Sequence, residues 1–155
     1  MATLSNASSD LVWEITRTQN CYLVKKRQGG GVQFSRDPLN VMNKHSRKYD
    51  GTSSLKAVGV QPGDKGGIVL TTKREAKSSQ PKENRNVVSL GPNKSNRKIY
   101  KGVSSYVAKN SYRPDLRQAA VGRVSAILKS QRPQKEDPER KLRGAKARRA
   151  AEKDA

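Results

Sequence analysis

The segment YRPDLRQAAVGRVSAILKSQRP, residues 112–133, constrains the fold most, because it predicts a helix with unusual sides. Pro114 suits a first helical position, and Asp115 suits the positive end of the helix dipole. Pro133 closes the segment. At about 100° per residue, one stripe of this helix carries the apolar residues Leu116, Ala120, Val124 and Ile127.

The charged side chains of this helix fall where a buried face is expected. Arg123 lies in the middle of the apolar stripe, and Arg113 and Arg117 lie along its edge. The opposite side is small or uncharged, with Gln118, Ala119, Gly122, Ser125 and Ala126. We interpret the helix as a wedge between a small core and RNA, with arginine stems on apolar surface and guanidinium groups on phosphate. The alternative is a half-buried helix with Arg123 at its rim.

The charge of the chain indicates a polyanionic partner. Residues 94–132 hold ten basic residues and one acidic residue, a net charge of +9 over 39 residues, and the 155-residue chain carries +20. Only 32% of the residues are hydrophobic, so the core must be small. Nucleic acid is the first candidate partner and an anionic membrane the second. The longest apolar run has four residues, and no signal peptide is visible, so we expect an intracellular protein that binds no membrane.

The acidic residues predict no catalytic site. Of the 13 Asp and Glu residues, five lie at caps and turns, five lie in the tail, and Glu14, Glu75 and Glu83 have no visible pairing. Cys21 and His45 are single residues of their type, which leaves no disulfide and no ordinary zinc site. The clusters QGGGVQF and QPGDKGG lack the ending of a nucleotide-binding loop. We therefore expect no enzyme, no metal, no cofactor and no small-molecule substrate.

The remaining pattern predicts an α+β fold, in which a small antiparallel sheet with an amino-terminal helix precedes a basic helical hairpin and a charged tail. Ser9-Asp10 can cap a short helix, although a strand is the alternative there. Strands are predicted at 21–27, 32–35, 54–60, 67–74 and 87–90, with a basic connection at 36–51 and a flexible loop at 76–84. In the first helix of the hairpin, 95–110, a shared face carries Ile99, Val103, Tyr106 and Val107.

These elements suggest four regions. The boundaries are a flexible amino terminus at 1–8, a β-rich RNA-binding core at 9–93, the helical hairpin at 94–132, and a charged tail at 133–155. Leu142 is the only large apolar residue after Pro138, so the tail is either helical on a partner or disordered.

Basic residues on several elements favour embedding in RNA over a single groove-reading surface. Tyrosines at 22, 49, 100, 106 and 112 could stack on unpaired bases, and Tyr49 is the best candidate because it lies in the long connection. The predicted RNA-binding residues are Lys25, Lys26, Arg27, Arg36, Lys44, His45, Arg47, Lys48, Tyr49, Lys73, Arg74, Lys94, Arg97, Lys98, Lys101, Arg113, Arg117, Arg123, Lys129 and Arg132.

Three stretches, SRKYDG, VGVQP and YRPDLRQAAVGRVSAILKSQ, closely resemble the eukaryotic large-subunit ribosomal protein L-twenty-eight family. The resemblance covers roughly residues 11–132. It implies an α+β structural protein of the cytoplasmic ribosome that binds large-subunit ribosomal RNA, contacts neighbouring ribosomal proteins and is assembled in the nucleolus. Certain nuclear ribosome-biogenesis factors resemble the amino-terminal module but carry a cysteine cluster that this chain lacks.

Two other functions stay open at this point. The chain could be a nuclear assembly factor or a chromatin-associated basic protein that leaves its target. It could also be an RNA-processing enzyme, which would need a metal or paired acids that the sequence does not provide.

Overall fold

The structure, a computed structural model, describes residues 7–28, 30–74, 84–137 and 143–153. It has the predicted α+β organisation, with five strands in two antiparallel sheets and four α-helices among the described residues. The elements are α1 (Ser9–Thr16), β1 (Leu23–Lys25), β2 (Gln33–Ser35), β3 (Val58–Pro62), β4 (Ile68–Lys73), β5 (Arg85–Leu90), α2 (Asn96–Ala108), α3 (Arg117–Ser130) and α4 (Ala145–Lys153).

Helix α1 resolves the choice between helix and strand near the amino terminus. The hydroxyl of Ser8 accepts a hydrogen bond from the Leu11 amide at 3.2 Å, which satisfies one of the open N–H groups of the first turn. The predicted cap at Ser9-Asp10 is therefore one residue late, and Asp10 lies in the first turn.

The sheets follow the predicted strand order, but β1 to β4 are shorter than predicted and β5 is longer. β1 pairs with β2, and β3, β4 and β5 form a second sheet in that order. The predicted strand 54–60 begins only at Val58, because the carbonyl of Ser54 bonds to a lysine side chain instead of a strand. In the turn before β4, Gly67 has a φ of +76°, and an added Cβ would lie 2.3 Å from the Leu90 carbonyl oxygen. Apart from Asn84, the predicted loop 76–84 lies outside the described residues.

The helical hairpin packs its apolar stripe on the three-stranded sheet. Two short 3-10 turns, Lys109–Ser111 and Pro114–Leu116, join α2 to α3. The buried core unites strand residues with Ile99, Val103, Val107, Leu116, Ala120, Val124 and Leu128.

Two details of the predicted apolar faces are wrong. Leu128 is buried and Ile127 only half-buried, because the stripe keeps an i, i+4 spacing from Leu116 onward. Tyr106 is 48% exposed, since Val107 occupies the inward position of that turn of α2.

The carboxyl-terminal helix α4 is largely exposed. Among its described side chains only that of Ala147 is half-buried, and the others are exposed. In the described ranges no helix combines the length and the apolar character needed to cross a membrane.

Candidate RNA-binding surface

Lys73 is the last residue of β4, and its side chain is buried. Its Nζ donates to the carbonyl oxygens of Gly51 at 3.2 Å, Thr52 at 3.2 Å and Ser54 at 2.7 Å. Burial lowers the pKa of Lys73, although the carboxylates of Asp50 and Asp37 favour its charged form. Its ammonium group holds the 51–54 backbone, so this geometry does not support an RNA contact of Lys73, and that contact stays a prediction.

Two buried carboxylates give the 36–51 connection its shape. Asp37 accepts hydrogen bonds from the amides of Leu39 at 2.9 Å and Gly51 at 3.0 Å. Burial raises the pKa of Asp37, and these two backbone bonds oppose that shift. Asp50 accepts from the Ser53 amide at 2.7 Å and closes a second turn. The carboxylates of Asp37 and Asp50 therefore hold the 36–51 connection in a defined conformation.

His45 and Arg47 fasten α1 to this connection. The His45 Nε2 lies 2.8 Å from the Arg17 carbonyl oxygen, and its ring centroid lies 4.9 Å from that of Trp13. Arg47 donates from Nε to Asp10 Oδ1 at 2.8 Å and from its two Nη atoms to the hydroxyls of Ser54 and Ser9. Both side chains are committed to protein atoms, so this geometry does not support their predicted RNA contacts.

Arg113 joins the helical hairpin to the loops. Its guanidinium makes two 2.8 Å bonds to the carboxylate of Asp115 and donates to the carbonyl oxygens of Lys56 at 2.7 Å and Lys48 at 2.8 Å. The bonds from Arg113 hold the pKa of Asp115 below its usual value. Next to it, the Tyr112 hydroxyl lies 2.5 Å from the Lys73 carbonyl oxygen. Arg113, like Lys73, therefore stabilises the folded backbone through its hydrogen bonds.

The position of the Arg123 guanidinium does not support the wedge interpretation, whose RNA contact stays a prediction. The Arg123 Nε donates to the Val60 carbonyl oxygen at 2.9 Å, and Nη1 donates to that of Val41 at 3.2 Å. β3 is an edge strand, so its outward carbonyls need a partner that no neighbouring strand supplies. Arg123 is that partner for Val60. The alternative, a half-buried helix with Arg123 at its rim, describes the residue better.

The small face of α3 is open, as expected. Gln118, Gly122, Ser125 and Ala126 are exposed, and an added Cβ on Gly122 would meet no atom within 4 Å among the described residues. A shallow groove of about 570 Å³ runs between this face and the half-buried ring of Tyr49. The Lys48 Nζ lies 5.6 Å from the centroid of that ring, which packs partly against the core.

The other predicted basic residues face solvent. Lys25 and Arg117 are exposed and each donates one bond, to the Thr18 carbonyl oxygen and the Ser104 hydroxyl. Twelve more are exposed, and their side chains bond to no other residue that the structure describes: Lys26, Arg27, Arg36, Lys44, Lys48, Arg74, Lys94, Arg97, Lys98, Lys101, Lys129 and Arg132.

Some of these cations meet at a cleft between α2 and α3. The cleft measures about 1050 Å³, and Lys101, Lys109 and Arg117 line it beside the hydroxyls of Ser104 and Ser105. The 2.7 Å bond from Arg117 Nε to Ser104 Oγ fixes the guanidinium plane and leaves both Nη groups available. Cations beside hydroxyl donors suit phosphate oxygens. Lys109 was not among the predicted residues, although its place after the last turn of α2 was visible in the sequence.

The model of the Ribosomal L28e protein family matches residues 11–130. The chain belongs to this family. It is 41% identical over 130 residues to the large ribosomal subunit protein eL28 of Schizosaccharomyces pombe, covering 84% of this chain and 97% of that protein. It is 29% identical to the proteins of the same name from Dictyostelium discoideum and Caenorhabditis elegans, over 88% and 80% of this chain and 98% and 90% of theirs. The L28e match includes the cleft and the 36–51 connection and ends before α4.

Proposed function

We propose that this L28e-family protein is a structural, non-catalytic component of the large ribosomal subunit that binds and stabilises ribosomal RNA. The names of its relatives support the ribosomal role. The observation that carries the RNA-binding part is the division of its cations into two groups. Lys73, Arg113 and Arg123 hold backbone carbonyls, whereas the cations of the cleft and the β-hairpin ends face solvent.

In this proposal the exposed cations act on phosphate and the internal ones keep the loops in shape for that contact. The cleft receives an RNA backbone, with Lys101, Lys109 and Arg117 as cations and the two serine hydroxyls as further donors. The open face around Gly122 lets an RNA strand or a neighbouring ribosomal protein approach α3 closely. The protein works in the cytoplasm after an assembly stage in the nucleolus.

The binding of the purified protein to large-subunit ribosomal RNA tests the electrostatic part. If roughly five to ten phosphates are neutralised, the logarithm of the binding constant falls against log salt with a slope of about −4 to −9. The variant Lys101→Gln/Lys109→Gln/Arg117→Gln should reduce the steepness by about 2 to 3. A control with the same charge loss at Lys56, Lys65 and Arg85 should change it less, because these exposed residues lie away from the cleft. Equal losses in both variants would refute a role of the cleft.

Sedimentation tests the ribosomal part. In sucrose gradients at high salt, the full chain should travel with large subunits and polysomes. A protein found only in nuclear precursor particles would instead be an assembly factor, and the proposal would fall.

A further inference from the structure

Three of the four cations of helix α4 share one stripe, and the fourth, Arg148, lies outside it. At about 100° per residue, Lys146, Arg149 and Lys153 fall within roughly 60° of arc, while Ala147 and Ala151 lie on the other side. All three cations are exposed. With a rise of about 1.5 Å per residue, the stripe is about 10 Å long.

The exposed surface of α4 indicates an absent partner. Nine residues are fewer than the roughly 12 to 15 that an isolated helix needs to be stable in water. Alanines favour the helix, and the Gly144 carbonyl oxygen accepts from the Ala147 amide at 3.1 Å, but little described side-chain surface is buried. A partner that binds the stripe would supply the missing stabilisation.

The sequence of α4 favours a polyanion as that partner. The helix has no large apolar residue, so it lacks the anchors with which helices enter apolar protein grooves or membrane interfaces. A stripe of about 10 Å matches roughly three phosphates of one nucleic-acid strand, at about 3.4 Å per phosphate along the axis.

The anchor of the tail determines how far α4 can reach. The Gln131 side chain accepts from the Gly67 amide at 3.0 Å and donates to the Gly67 carbonyl oxygen at 2.8 Å, which ties the end of α3 to the β3–β4 turn. The twelve residues 132–143 follow before Gly144, and a chain of that length spans at most about 43 Å. The helix can therefore engage RNA beyond the surface of the folded core.

We propose that α4 is a second, tethered RNA-binding element, which lays Lys146, Arg149 and Lys153 along the phosphates of a segment of large-subunit ribosomal RNA separate from the one bound by the core. The proposal rests on the proposed function of the core and extends it to a segment outside the L28e match. Because the core is already bound, the tether makes the second contact intramolecular and raises the overall affinity.

The test uses the full chain with three residues changed, Lys146→Gln/Arg149→Gln/Lys153→Gln, and protein-free large-subunit ribosomal RNA as the probe. At about 0.1 M salt we expect an affinity loss of roughly tenfold or more and a salt slope shallower by about 2 to 3. The matched control Lys135→Gln/Arg143→Gln/Arg148→Gln removes the same charge from the tail but leaves the stripe intact, and should lose less than about threefold. Ala151→Pro retains every charge and interrupts the helix, so it should resemble the stripe variant.

The outcomes separate this inference from the function of the core. If the unchanged protein and the stripe variant bind RNA with equal affinity and slope, the inference is refuted and the proposed function stands. If the unchanged protein does not bind this RNA, the proposed function itself fails. A stripe variant that binds RNA normally but washes off assembled subunits at lower salt would identify an acidic protein as the partner of α4, which also overturns the inference.

Discussion

Replacing Arg123 by leucine should destabilise the free protein. The change removes the donors at 2.9 Å from the Val60 carbonyl oxygen and at 3.2 Å from that of Val41, both of buried residues. Hydrogen bonds to charged groups contribute about 1.5 to 3 kcal/mol each, and the longer bond belongs at the low end of that range. Partial burial of the apolar leucine side chain stabilises the variant by about 1.5 kcal/mol. The expected net loss in the free energy of unfolding is about 2 kcal/mol.

Urea unfolding of the RNA-free protein, followed by circular dichroism, measures this loss. Arg123→Lys should retain part of the stability, because one ammonium group cannot serve both carbonyls with the geometry of the guanidinium fork. The control Arg97→Leu changes an exposed cation of α2 and should stay within about 0.5 kcal/mol of the unchanged protein. An unchanged unfolding free energy for Arg123→Leu, together with weakened RNA binding, would restore the wedge interpretation and refute the role assigned to this arginine.

Four further substitutions, two of them a matched pair, test the same description of the fold. Lys73→Met keeps the length of the buried side chain but leaves three carbonyl oxygens without their donor. Urea unfolding should show a free energy of unfolding lower by about 2 to 4 kcal/mol. An unchanged value would contradict the role of Lys73 in holding the 51–54 backbone. Gly59→Ala places a Cβ 2.3 Å from the Pro38 carbonyl oxygen and should lower the free energy of unfolding by more than about 1 kcal/mol. The matched change Gly122→Ala meets no described atom within 4 Å and should stabilise α3 by up to about 1 kcal/mol. Equal effects of the two substitutions would show that the close approach at Gly59 is absent. The pKa of Asp115 is lowered in the folded state, so its carboxylate contributes stability that is present above the usual pKa of 3.8 and lost as the pH falls through the lower folded-state pKa. The unfolding free energy of Asp115→Asn should therefore differ most from that of the unchanged protein at neutral pH and converge with it in acid. A difference that stays constant with pH would refute the pairing with Arg113.

The fold was predictable where local chemistry decides it. Apolar spacing placed α2 and α3, and the QPGDKG turn placed the β3–β4 hairpin. The cap at Ser8 and the burial of Leu128 were missed by one residue each, because neighbouring residues of the same type fit the pattern equally well.

The roles of the basic residues were not predictable from the sequence. Lys73 and Arg74 are adjacent and both basic, yet Lys73 is buried and Arg74 exposed, because the Lys73 ammonium group bonds three carbonyl oxygens of the 51–54 loop and β4 ends before Arg74. Arg123 donates hydrogen bonds to carbonyl oxygens that are 63 and 82 residues away in sequence. No local sequence pattern shows which carbonyl oxygens of an edge strand lack a strand partner. The separation of structural from exposed cations is a tertiary property.

Ultraviolet crosslinking of intact large ribosomal subunits, followed by mass spectrometry of the peptides, tests the central claim most directly. The exposed cations are proposed to contact ribosomal RNA while the internal ones hold the fold. Nucleotide adducts should therefore occur on peptides that contain the cleft residues Lys101, Lys109 and Arg117, and not on Lys73. Subunits that contain the protein and give adducts elsewhere on it but none on the cleft peptides, or that give adducts on Lys73, would contradict the claim.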